Sequence, residues 1–141
     1  MIRGFEILGE YDGVKLPTRK TAFSAGYDLE AAEDVRVTER QISLVPTGLK
    51  AFFPPDEVLL IYLRSSLAVK HGLILANGVG VIDADYRGHI ILPVTSLNGD
   101  FEIKRGMRIA QGIFQKYLTV DGDEVGRGAV RRGRFGSTGE F

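Results

Sequence analysis

In the stretch GVGVIDADYRGHI, residues 78–90, an apolar run ending in Ile82 delivers Asp83, Asp85 and Tyr86 before the chain reverses at Arg87-Gly88. A carboxylate at the end of a rigid apolar strand can orient or deprotonate water, and a neighbouring tyrosine ring offers a flat face to a sugar or a base. Those parts suit a nucleotide. Read alone, the same residues are also ordinary turn material, with aspartates accepting hydrogen bonds from backbone amides. A second group is Arg64-Ser65-Ser66, where the chain leaves a predicted strand and starts a helical turn. Guanidinium, hydroxyl and backbone amides there can converge on an anion, unless Ser65 or Ser66 simply caps the helix. A third is the tail GRGAVRRGRFGSTGE, residues 126–140, with four arginines set among glycines. That composition fits an inert mobile tail or an RNA-binding segment that grips backbone phosphates.

These groups need a scaffold. The 141 residues suit one domain, and 44% hydrophobic content is enough for a modest core. Eighteen lysines and arginines balance eighteen aspartates and glutamates, so no net charge draws the whole molecule to nucleic acid or membrane. The absence of cysteine removes disulfides and thiolate metal sites, and two histidines are too few for most zinc schemes. His71 and His89 read as surface or turn residues. The N-terminus lacks the charged-then-apolar order of a signal peptide, and no apolar run approaches the roughly 18 residues of a membrane span. A reducing, cytoplasmic location is expected.

Eighteen glycines punctuate short β-branched and aromatic runs, a pattern of many turns. Strands are predicted at 2–8, 34–37, 41–49, 58–63, 73–75, 80–82, 89–95, 101–103 and 109–118, with helical character confined to 65–71. Turns such as Asp12-Gly13 and Asn98-Gly99 join them. The fold class is therefore all-β, a jelly-roll-like sandwich or barrel with one short helix. Residues 1–126 are expected to form the β domain and 127–141 a flexible arm.

Five segments in order carry a family resemblance over nearly the whole chain: AGYDLEAA (25–32), RSSLAVKHG (64–72), NGVGVIDADYRG (77–88), GMRIAQ (106–111) and RGRFGSTG (132–139). Together they resemble the motifs of the homotrimeric all-β dUTP diphosphatase family. The resemblance implies hydrolysis of dUTP to dUMP and pyrophosphate, which keeps uracil out of DNA and supplies dUMP. It makes Asp83 the carboxylate that activates water. Tyr86 becomes the ring under the deoxyribose that excludes a 2′-hydroxyl, and Asn77, with the backbone of Gly80, Val81 and Ile82, the uracil reader. Arg64, Ser65 and Ser66 would contact phosphates, with Ser65 near the α and β groups, and Gln111 would contact phosphate and water. Asp28 would accept hydrogen bonds from waters on a Mg²⁺ ion that the triphosphate chelates, against a plain reading of Asp28 as a turn residue. In the tail, Phe135 would stack on uracil, Arg132 would pair with the γ-phosphate, and Gly136, Ser137 and Thr138 would wrap the triphosphate. Arg131 competes with Arg132 for its role, and spacing to Phe135 favours Arg132. Ser66 stands where the family has glycine, Leu63 where it has proline, and Arg134 where glycine usually precedes the aromatic residue.

The resemblance also implies a homotrimer, each site drawing the uracil hairpin, the phosphate donors and the arm from three different chains. No nucleic-acid or membrane partner is expected. Gly78-Val79-Gly80 lacks the third glycine and the helix of a dinucleotide fingerprint, and no phosphate-binding GxxxxGK[ST] occurs. A closer rival is dCTP deaminase, which is similar in fold and often carries RSSLA. Val69 and Pro93 stand where that enzyme places its arginine and glutamate. A non-catalytic nucleotide- or RNA-binding module is the alternative of a different class.

Overall fold

The computed structural model describes residues 1–124. These form eleven strands and one helix: β1 (Gly4–Ile7), β2 (Tyr27–Glu30), β3 (Val35–Val37), β4 (Ser43–Pro46), β5 (Leu49–Phe52), β6 (Glu57–Leu63), α1 (Ser65–His71), β7 (Leu73–Leu75), β8 (Gly80–Ile82), β9 (Ile91–Ser96), β10 (Phe101–Ile103) and β11 (Arg108–Lys116). A four-stranded sheet runs β2-β11-β6-β8 and a three-stranded one β4-β9-β7, with β1 paired to β5 and β10 to β3. Neighbours in space are mostly distant in sequence, as in a jelly roll.

Side-chain alternation explains the packing. In β9 every second residue is buried, and Leu92 and Val94 enter the core. In β6, Leu59 and Ile61 point inward, while Leu60 and Tyr62 lie on the outer face. The inward sets of both larger sheets meet around Leu29, Val45, Leu73, Ile103 and Ile109. Phe5, Tyr27, Phe53 and Phe114 pack edge and tilt on one another beneath β1, which is further clasped by the Arg3 guanidinium on Glu57 (2.8 and 2.5 Å). That bidentate pairing holds the Glu57 carboxyl below its usual range. The outer faces are apolar too. Val81 is 58% exposed on one sheet, and Ile42 and Leu44 are 62% and 50% exposed on or beside the other.

The fold differs from the sequence reading in two places. The predicted strand 41–49 breaks at Thr47-Gly48, where Gly48 takes φ +72° and the chain passes from the β4-β9 pairing to the β5-β1 pairing. A side chain at Gly48 would also meet Tyr11 and Val14 at 3.0 Å. The break is held by the Thr47 hydroxyl, which donates to the Ile90 carbonyl (2.6 Å), and by the Gly48 amide, which donates to His89 Nε2 (2.8 Å). His89 is thus a half-buried acceptor against Tyr11, not a surface residue. The second difference is β2, which the sequence reading omitted.

Candidate active site

One group of expected site residues gathers where β6 ends. Past Leu63, Arg64 stays extended (φ −65°, ψ 133°), its amide donating to the Ile109 carbonyl (2.9 Å) and its guanidinium to the Arg108 carbonyl (3.3 Å). That backbone bond fixes Arg64 as the N-cap, so Ser65 and Ser66 are the first two helical residues. The expectation that one of them caps the helix is corrected: α1 has no side-chain cap. The first amides of a helix have no intrahelical acceptor, and beside them stands the exposed Ser65 hydroxyl. Across the sheet, Gln111 pairs in register with Tyr62 on one side and Asp28 on the other. Asp28 lies in β2, not in a turn, and its carboxylate is 3.5 Å from the Arg108 guanidinium.

The second group is carried by β8 and the turns that flank it. β7 belongs to the three-stranded sheet and β8 to the four-stranded one, so the connection between them crosses a corner between sheets. Its tip turns at Asn77-Gly78, with Gly78 at φ +74° and its amide donating to the Leu75 carbonyl (2.9 Å). Asn77 is exposed there. Beyond Ile82, Asp83 is exposed, and its backbone carbonyl accepts the Tyr86 amide (3.0 Å), closing a turn. The Tyr86 ring is only 8% exposed, and its hydroxyl donates to the His89 carbonyl (2.6 Å). The Arg87 guanidinium donates to the Ala84 carbonyl inside the same turn. Backbone and tyrosine are thus committed to the turn, which presents the Asp83 carboxylate outward.

Asp83 does not reach the first group within one chain. Asp28, Gln111 and Tyr62 share a row of the sheet, whereas Ile82, which leads to Asp83, pairs with Leu59. Three residues of strand separate these rows, roughly 10 Å at 3.3–3.4 Å per residue, and Asp83 lies beyond. Arg132, Phe135, Gly136, Ser137 and Thr138, with the arm 127–141, lie outside the described residues.

Two residues that sequence reasoning passed over belong to the first group. Arg108 was legible as a cation opening the apolar strand of GMRIAQ. Gly26 abuts Gln111, and only the register of β2 against β11 reveals it.

A jelly roll with an outward carboxylate turn at one corner and cationic, hydroxyl and amide donors at another defines an all-β protein equipped for a phosphorylated ligand. The dUTPase family model matches residues 12–139, and the chain belongs to the dUTPase family. The deoxyuridine 5′-triphosphate nucleotidohydrolase of Lactococcus lactis is 46% identical over 98% of both chains. That of Rickettsia prowazekii is 47% identical over 88% of both. Among solved structures, the dUTPase of Streptococcus mutans superposes with a TM-score of 0.79 at 42% identity, covering 84% of this chain and 99% of that one. The Staphylococcus bacteriophage 80alpha dUTPase shares the fold at 21% identity, with a TM-score of 0.78 over 89% of this chain and 96% of that one.

Proposed function

We propose that the protein hydrolyses dUTP to dUMP and pyrophosphate, acting as a cytoplasmic homotrimer. The observation that carries the reading is the outward Asp83 carboxylate on a rigid turn at the end of β8, in a chain of this family. Asp83 takes the proton of the water that attacks the α-phosphorus. The segment from Asn77 to Ile82 offers donors and acceptors to the edge of uracil, and a site that pairs a base's polar edge leaves groups unpaired with the wrong base. Tyr86, pinned through its hydroxyl, keeps its ring fixed under the sugar. Arg64, the hydroxyls and amides of Ser65 and Ser66, and Gln111 neutralise charge on the phosphates as the pyrophosphate leaves. The arm residues Arg132, Phe135, Gly136, Ser137 and Thr138 complete the enclosure.

Magnesium fits this donor set. Mg²⁺ chelated by substrate phosphates retains several waters, which a nearby carboxylate can hold by accepting their hydrogen bonds. Asp28 is the carboxylate placed beside the phosphate donors, and among the described residues no three histidine, aspartate or glutamate side chains form a cage. When bound, the ion would neutralise phosphate charge. Assembly is supported by the separation of the two groups and by the apolar outer faces of the sheets, which association of copies would cover. No helix among the described residues is long and apolar enough to cross a membrane. Val69, which is 84% exposed on α1, and Pro93, within β9, weigh against the deaminase reading.

Two measurements test the proposal. Pyrophosphate release with Mg²⁺ should be at least about a hundredfold more efficient from dUTP than from dCTP or UTP. Comparable turnover of dCTP, or ammonia release from it, would sink the assignment. The 15.5 kDa chain should sediment as a trimer, and a monomer with full activity would contradict the assembly.

A further inference from the structure

We propose that Gly26 is a positioning residue for Gln111, and that its missing side chain is what lets the Gln111 carboxamide lie against the start of β2. The inference rests on the reading of Gln111 as a contact to phosphate and water. Gly26 is buried immediately before β2 and is not among the glycines with positive φ, so its backbone does not itself demand glycine. Space does. A Cβ at residue 26 would overlap Gln111 Oε1 and stand 2.8 Å from its Cβ and 3.0 Å from its Cδ. All three of the nearest atoms belong to Gln111, so the clash falls on that one side chain.

Strand geometry explains why the two meet. Gln111 lies opposite Asp28, and residue 26 is the diagonal neighbour on the same face, within reach of a long side chain. Gln111 cannot retreat as a whole, because β11 is paired on both sides, to β6 and to β2. A methyl at residue 26 therefore turns the carboxamide out of its place or pushes the entry to β2 away. The first movement displaces the polar end of Gln111 and the second displaces Asp28 from beside it, while the arginine and serine groups and the Asp83 turn stay where they are. Gly48 is glycine for its backbone, whereas Gly26 is glycine for its neighbour.

The test is a coupling measurement on the full chain, with trimer mass and melting temperature recorded for every variant. Gly26→Ala should lower kcat for dUTP by about 10- to 100-fold, the scale of a misplaced contact, with KM changed less. In a Gln111→Gly background, which removes both the carboxamide and the Cβ that would stand 2.8 Å away, the same substitution should cost less than about twofold. An equal loss of kcat in both backgrounds would make Gly26 merely structural and overturn the inference alone. Full activity of Gln111→Ala would remove Gln111 from the site and overturn the inference together with the reading beneath it. Gln111→Asn gives a second measurement that leaves Gly26 intact. The shortened carboxamide cannot reach along β2 and should be as impaired as Gln111→Ala, whereas wild-type kcat from it would also overturn the inference.

Discussion

Asp83→Asn should lower kcat for dUTP by at least ~10²-fold, the usual scale for losing a general base, while nucleotide binding is largely kept. The backbone of the turn survives the substitution. The turn is closed by the Asp83 carbonyl and the Tyr86 amide, neither of which the substitution touches. Tyr86 is held independently through its hydroxyl on the His89 carbonyl. Asparagine has nearly the same shape and hydrogen-bonding reach, so what disappears is the basic charge. A purely structural Asp83 forecasts the opposite: a loss of about 1–2 kcal/mol in stability, as for a broken turn hydrogen bond, with activity of the folded protein near normal. Melting temperature, binding of dUTP and kcat on one sample separate the two. A folded Asp83→Asn protein with wild-type kcat would remove Asp83 from catalysis.

Why the strand-borne groups were legible and others were not follows from the range of the forces involved. The limits of α1 match the expected 65–71, and Gly72 takes the left-handed conformation (φ 68°) that terminates a helix. β2 is absent from the predicted strands although Tyr27 and Leu29 alternate with Asp28 and Glu30 in a strand's period of two. Four residues of alternation are a weak signal, and the strand exists because β11 pairs with it. The break at Thr47-Gly48 was hidden for a similar reason: its hydrogen bonds come from Ile90 and His89, about forty positions along the chain. Ser65 looked like a cap because serine usually is one, but a distant carbonyl, that of Ile109, had already set the position of Arg64. Gly26 acquires its meaning only from sheet register. Local chemistry was readable, whereas which residues face each other was not.

Mixing two inactive chains should restore activity. The row carrying Asp28 and Gln111 and the turn carrying Asp83 are separated along one chain by more than three strand residues. A site using both must therefore draw them from different copies around a cyclic interface. Take one chain with Asp83→Asn and another with Asp28→Asn and Gln111→Ala. Each alone should form trimers impaired by about 10²-fold or more, since one lacks the base and the other the phosphate-side contacts. In trimers assembled at random from equal amounts, a site is intact when its Asp83 turn comes from the second chain and its phosphate side from the first. Every mixed trimer, with two chains of either kind, contains one such site in three, so trimers purified through both tags should show about a third of wild-type activity. If every site were built within one chain, mixing would leave only the residual activity of the parents. Co-expression with two different tags, purification through both, and the rate of pyrophosphate release from dUTP decide the matter. Mixed trimers no more active than their parents would refute the shared site, and the separation of the two rows would then need another explanation.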